Sequence, residues 1–140
     1  ARYGECVCCH ELRREEADQT RVVAGNELFT AFVPYAAVSP FQVWIVGRRH
    51  CHTIMEATDE ELDAFAEVFS IVTKQLGAAL DDPSFNLLVH TSPVVSRFMS
   101  DPQPHSPILR GAAVEEVVHW YADIFPRLGS QAGFEFGTGM

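Results

Sequence analysis

A chain of 140 residues, 47% apolar and 21% charged, is long enough for one domain with its own core and too apolar to stay disordered. Its formal net charge of −9 excludes the basic face of a duplex nucleic-acid binder, and Arg13-Arg14 is offset at once by Glu15-Glu16. No apolar run approaches the ~20 residues that span a bilayer, and the first five residues lack the apolar region of a secretory signal, so a soluble cytoplasmic protein is expected.

Residues 1–20 are polar and hold three of the four cysteines, with a short helix expected from Glu11 to Ala17. Arg21 to Val33 alternates and is β-prone, with a turn at Asn26; Leu28, Thr30 and Phe32 would face one way, Phe29, Ala31 and Val33 the other. After a loop between Pro34 and Pro40, Gln42 to Val46 reads as a central strand, apolar on both faces, and Gly47 ends it. Thr58-Asp-Glu-Glu61 has the form of a capping box, and Leu62, Phe65, Phe69, Val72, Leu76 and Leu80 make one stripe of an amphipathic helix that ends before Asp81-Asp82-Pro83. Phe85 to Val89 reads as a strand with His90 at its end, 91–113 as a long irregular loop, and 114–118 as ambiguous. His119 to Phe125 is a further strand, stopped by Pro126, and Gly133 to Gly137 a short last one. Strands, a long helix, then strands again predict an α+β fold of about five mainly antiparallel strands with the helix on one face, in one domain over 1–140.

Cysteines crowded at 6, 8 and 9 make a poor disulfide framework, and the Cys-x-x-Cys pair reads as a metal site or a redox pair. Cys6 and Cys9 can clamp a tetrahedral ion, with His50 and His119 at strand ends as further donors. Cys8 can replace either cysteine, while Cys51 and His52 should point away from His50. His90 and His105 read as surface or core histidines rather than ligands, and Glu115-Glu116 as a solvated face. Arg48, Arg49, Arg110 and Arg127 are the candidates for a cationic pocket. His119, Tyr121 and Asp123 share one strand face and form a candidate row. Neither a nucleophile elbow nor a phosphate loop is present.

Several segments resemble the C-terminal half of galactose-1-phosphate uridylyltransferases and their histidine-triad-type relatives. They are Cys6-Val-Cys-Cys9, Glu27-Leu-Phe-Thr-Ala-Phe-Val-Pro-Tyr-Ala36, Phe41-Gln-Val-Trp-Ile-Val-Gly-Arg-Arg-His50, Thr58-Asp-Glu-Glu-Leu62, Phe85-Asn-Leu-Leu-Val-His-Thr91, His119-Trp-Tyr-Ala-Asp-Ile-Phe-Pro-Arg-Leu128 and the tail from Gly133 to Met140. The resemblance implies a histidine-triad-like domain and a Zn2+ site formed by Cys6, Cys9, His50 and His119. It also implies that Tyr121 stands at the position of the nucleophilic histidine, and Asp123 at that of a glutamine that donates to phosphate. A phenol with pKa ~10 is a poorer nucleophile for nucleotidyl transfer than imidazole, and a carboxylate repels phosphate. Arg127, Phe134, Glu135, Phe136 and Gly137 would help to hold a nucleotide sugar, in an assembly with a catalytic half or as a homo-oligomer, a dimer by resemblance.

Three functions follow. The first is the non-nucleophilic half of a uridylyltransferase-like nucleotidyltransferase, inactive alone. The second is a stand-alone zinc-stabilised module that binds a nucleotide or a protein without turnover. The third is a metal-dependent enzyme that has reused His119, Tyr121 and Asp123 around an open coordination position.

Overall fold

Residues 5–92 and 114–128 are described by the computed structural model. Helix α1 is Val7–Asp18, earlier in its start than the expected Glu11, because Cys6 itself is the cap: its sulfur accepts from the Cys9 N–H at 3.4 Å. A hairpin follows, β1 (Val22–Gly25) and β2 (Phe29–Phe32), turning at Asn26 as its sequence predicts. The Asn26 carboxamide oxygen accepts from Leu28 and Phe29 N–H, and its nitrogen donates to the Ala64 carbonyl and to Glu67, so one side chain shapes the turn and ties it to a helix.

That helix is α2, Asp59–Leu80. The Thr58 hydroxyl accepts from Glu61 N–H at 3.1 Å and Glu61 accepts from Thr58 N–H at 3.1 Å, the expected capping box. Asp81 ends it in the left-handed region, with φ 59°. The stripe differs from the expected one at its centre: Val68, Val72 and Leu76 are buried, Phe65, Phe69 and Leu80 pack beside them, and Leu62 is exposed. At 100° per residue, Leu62 lies about 80° around the helix from Val72, off the buried line.

Strands β3 (Val43–Gly47), β4 (Phe85–His90) and β5 (Tyr121–Pro126) complete a fully antiparallel sheet of order β1-β2-β3-β5-β4. The run 114–118 resolves as a short helix, α3 (Val114–Val117), and the strand expected from His119 starts at Tyr121. The Gly133–Gly137 strand lies outside the described residues; the described sheet reaches five strands because the 21–33 hairpin supplies two. Gly47 lets the strand pass close to Phe29, since a Cβ there would lie 3.2 Å from the ring and push it aside by a few tenths of an ångström.

The two sheet faces carry different partners. Phe29, Ala31, Val43, Ile45, Trp120, Ala122 and Ile124 pack under α2, and Phe29 meets Phe65 and Trp120 with ring centroids 5.7 Å apart. Leu12 of α1 packs against Phe32 and Val46 on the opposite face. Glu15 of α1 is fully buried; both its oxygens accept from Arg21 Nε at 3.0 Å, and Arg21 Nη2 lies 3.0 Å from Oε1. No helix among the described residues is long and apolar enough to cross a membrane.

Arg49 holds the Glu61 carboxyl below the usual carboxylate range. A depressed acid adds stability that is full above its unfolded pKa and vanishes as pH falls through the folded one. Glu61→Gln, which keeps an acceptor for Thr58 N–H, is therefore expected to melt about 2 °C below the parent at neutral pH, with the gap closing below about pH 4. Melting curves of both proteins across that range test this; a gap independent of pH removes the charge from the account.

Candidate metal centre

Strands β3 and β5 are antiparallel neighbours paired Val46↔Tyr121, so the chain leaving β3 and the chain entering β5 meet at one end of the sheet. His50 lies on the first and His119 on the second. The first turn of α1 sits over the same end. It brings Cys6 and Cys9 to the two imidazoles, and the ligand atoms of these four residues all lie within 4.8 Å of one another. Cys9 Sγ is 3.3 Å from His50 Nδ1 and 3.3 Å from His119 Nδ1, while Cys6 Sγ is 3.9 Å from His119 Nδ1. A tetrahedral ion with bonds of about 2.3 Å to sulfur and 2.0–2.1 Å to nitrogen needs donor–donor edges of roughly 3.4–3.8 Å, and these distances cluster around that range. The cluster can hold a metal ion.

The outer contacts agree. His50 Nε2 lies 2.6 Å from the Glu115 carbonyl, so that nitrogen donates and Nδ1 is left with its lone pair toward the sulfurs. His119 is buried, and its Nε2 meets no partner among the described residues. The Cys6 thiol is lowered to about 3, chiefly by a hydrogen bond from Cys8 and also by one from His119, against the opposing effect of burial. Cys9 is pushed up to about 12 by burial and by the charge on Cys6. One thiolate thus forms readily and resists a second beside it, a repulsion that a divalent cation removes.

Cys8 stays outside the group. It packs toward Leu12, Phe32 and Val46 beside Tyr121, and its thiol is raised by the hydrogen bond to Cys6 and by burial. The choice between Cys8 and its neighbours therefore falls to Cys6 and Cys9 by geometry. Cys51 turns into the core under α2 and donates to the Thr53 carbonyl; His52 faces Ser92 at 2.7 Å, so both point away from His50 as expected.

Tyr121 and Asp123 lie on the α1 side of β5 but outside the four-residue group. Tyr121 is sandwiched between Trp44 at 4.6 Å and His90 at 4.4 Å, the latter stacked at 13°, and burial raises its phenol further above its ordinary value. Asp123 is buried, accepting from Gln42 Nε2 at 2.9 Å on one oxygen and lying 3.2 Å from His90 Nε2 on the other. His90, expected as a surface or core histidine, is thus part of this row, because the β4–β5 register pairs it with Tyr121. The signal that could have found it is the position of His90 at the end of an edge strand, opposite Tyr121 once the two strands pair. Arg127 is exposed just past β5, its N–H donating to the Ser84 carbonyl at 2.7 Å. Arg48 and Arg49 are engaged by Glu16 and Glu61, and Glu115 and Glu116 are exposed. Phe134, Glu135, Phe136, Gly137, His105 and Arg110 lie outside the described residues.

A family model described as galactose-1-phosphate uridyl transferase, C-terminal domain, matches residues 2–121. An ADP-glucose phosphorylase of Arabidopsis thaliana is 26% identical over 136 residues, which are 97% of this chain and 33% of that relative. A solved ADP-glucose phosphorylase from Arabidopsis thaliana with bound ADP-glucose superposes with a TM-score of 0.70 at 26% identity, over 97% of this chain and 38% of that one. A HIT-family protein from Bacillus subtilis superposes with a TM-score of 0.59 over 89% of this chain and 74% of the other, a likeness that at 20% identity concerns the fold alone. The chain spans 33% of the curated relative's length and 38% of the solved one's.

Proposed function

The chain belongs to the galactose-1-phosphate uridyl transferase family through its C-terminal domain, and from that premise we propose that it is the non-nucleophilic half of a nucleotidyltransferase of this kind, a single zinc-stabilised domain over 1–140 that works with a catalytic half. The observation that carries this reading is the state of β5. Where the family's catalytic half presents an imidazole to phosphorus, this chain presents a half-buried phenol whose pKa is raised and whose ring is clamped between Trp44 and His90. Where phosphate would be bound, it presents the Asp123 carboxylate, held by Gln42 and His90. Neither group suits attack on a phosphoryl centre at neutral pH.

The zinc part rests on the donor set. Two thiolates and two imidazoles close a tetrahedron, as in structural sites, and leave no open position for a metal-bound water. That argues against a hydrolytic metal enzyme built on His119, Tyr121 and Asp123. Zinc would supply charge to neutralise the thiolates, while Cys6, Cys9, His50 and His119 tie the start of α1 to the ends of β3 and β5.

The sheet offers a place for the other half. β4 is an outer strand of the described sheet, and Phe85, Leu87 and Val89 alternate along it at 39%, 41% and 42% exposure. An outer strand with an apolar row can be extended by a strand from a second domain. Arg127 with Phe134, Glu135, Phe136 and Gly137 would then reach a nucleotide sugar held mainly by that partner.

The test is complementation. A partner half bearing a His-x-His nucleophile is purified alone and mixed with this chain, and transfer of the nucleotidyl group from UDP- or ADP-sugars is followed by phosphorus NMR. Activity is expected in the mixture, about a hundredfold or more above either half, as positioning of a bound substrate demands. Equal activity of the partner half with and without this chain sinks the assignment.

A further inference from the structure

The loop between β2 and β3, residues 33–42, has its burial inverted. Its polar side chains Ser39 and Gln42 are buried, while Tyr35, Val38 and Phe41 are 72%, 74% and 50% exposed. A single exposed apolar residue is ordinary, but three large ones on one loop make a patch, and such patches mark contact surfaces.

The loop's own polar groups hold it in this form. Ala37 N–H donates to the Pro34 carbonyl at 3.1 Å and Gln42 N–H to the Ser39 carbonyl at 3.3 Å, which folds the loop into two turns. The Gln42 carboxamide oxygen accepts from Val38 N–H at 2.9 Å, and its nitrogen donates to the buried Asp123 at 2.9 Å, so β5 anchors the loop. Phe41 takes φ 62° at the third position of its turn, where a positive φ ordinarily calls for glycine. Strain of this kind persists only where surrounding contacts enforce it, and it collects at functional positions. Tyr35 is fixed in turn by Arg14 and Arg21, whose guanidiniums lie 5.9 and 5.3 Å from its ring centroid. A loop ordered beforehand loses little entropy on binding, and tyrosine and arginine are enriched among the anchors of protein interfaces.

The patch reaches the first turn of α1. Tyr35 and the exposed Val7 line one cavity of about 260 Å³, together with Phe32 and Trp44. The matching family model is that of a C-terminal domain, and the chain spans 33% and 38% of the two relatives' lengths. In such a relative most of the polypeptide therefore precedes this domain and enters it through the residues that lead into α1, beside the patch. We propose that residues 33–42 and Val7 are the docking surface for the catalytic half: Tyr35, Val38 and Phe41 pack onto an apolar face of that half, and one of its side chains fills the cavity. The proposal rests on the reading of the chain as one half of a nucleotidyltransferase. It sets this contact at the Val43 end of β3, away from the metal cluster, and apart from the outer strand β4, so the partner is gripped at two places. Asp123 then has a use that needs no substrate, since its carboxylate holds the Gln42 side chain that shapes the loop.

The test is titration calorimetry of the partner half used for complementation into the full chain and into Val38→Asp, Phe41→Gly and Met55→Asp. Met55 is the control, an exposed apolar residue in the turn before α2. Both loop variants are expected to bind about tenfold more weakly or worse, and the control as the parent does. Each loop variant should melt within about 2 °C of the parent, because Val38 lies mostly in solvent and glycine accepts the positive φ of Phe41, so lost binding is not lost folding. Equal affinity of the parent and both loop variants overturns the docking assignment and leaves the two-half reading standing. An equal loss in Met55→Asp also overturns it, since any added charge would then do the same. No heat with the parent sinks the two-half reading and the docking assignment with it. Sedimentation of the chain alone, dimeric in the parent and monomeric in Val38→Asp, gives the loop to a second copy and likewise overturns the assignment.

Discussion

On the zinc reading, Cys9→Ala is expected to take the chain from about one zinc per molecule to none and to lower its melting temperature by about 10 °C or more, because the ion would bind only the folded cluster. Cys9 is the side chain that touches both imidazoles, so its loss removes the donor at the middle of the group. At free metal a thousandfold above Kd, binding adds about 4 kcal/mol to stability, and all of it disappears with the site. Cys8→Ala is the matched control, since Cys8 gives no donor; it should keep its metal and melt within about 2 °C of the parent. Elemental mass spectrometry and calorimetry on the three proteins, with chelator added to the parent, read both quantities. Zinc retained by Cys9→Ala, or lost equally from Cys8→Ala, would mean that the ligand set has been chosen wrongly.

The second large effect lies far from any chemistry. Arg21→Met should lower the melting temperature by about 10 °C, since it strands the fully buried Glu15 carboxylate without its counter-charge. The Arg21 guanidinium also sits 5.3 Å above the Tyr35 ring, and the methionine cannot reproduce that cation–π attraction. The mechanism predicts a rescue: Glu15→Leu combined with Arg21→Met should recover most of the loss, because removing both charges leaves an apolar contact rather than an unpaired ion. Thermal and urea denaturation of the single and double variants decide between this and simple loss of side-chain bulk, which would leave the double variant no better than the single.

The contrast between what the residues announce and what they conceal follows the range of the interaction involved. Local signals were legible: the capping box at Thr58, the turn at Asn26, the stop at Asp81-Asp82-Pro83 and the central strand at Gln42 to Val46 all depend on neighbours within a few residues. The metal-type residues were legible as a set, because the chemistry of two cysteines and two histidines is distinctive and the family resemblance aligned them. The early start of α1 was not, since a thiol is a rare cap and carries no helix signal of its own. Nor was the His90–Asp123–Gln42 network, which exists only because β4 and β5 pair in one register and β3 lies on their other side. The stripe of α2 was legible except at two positions, Leu62, which is exposed, and Val68, which is buried, since only the sheet beneath fixes the edge of a stripe whose period is already right.

The cluster at the head of α1 also bears on the time course of folding. Its contacts close loops of 41 residues, from Cys9 to His50, and 110 residues, from Cys9 to His119. Contacts of such long range form late, after the local hairpin and α2 have reduced the distance between their ends. An ion held there would act as a removable cross-link applied to an almost finished structure. Added zinc should then leave the refolding limb of a chevron nearly unchanged and slow the unfolding limb, prolonging the lifetime of the native state.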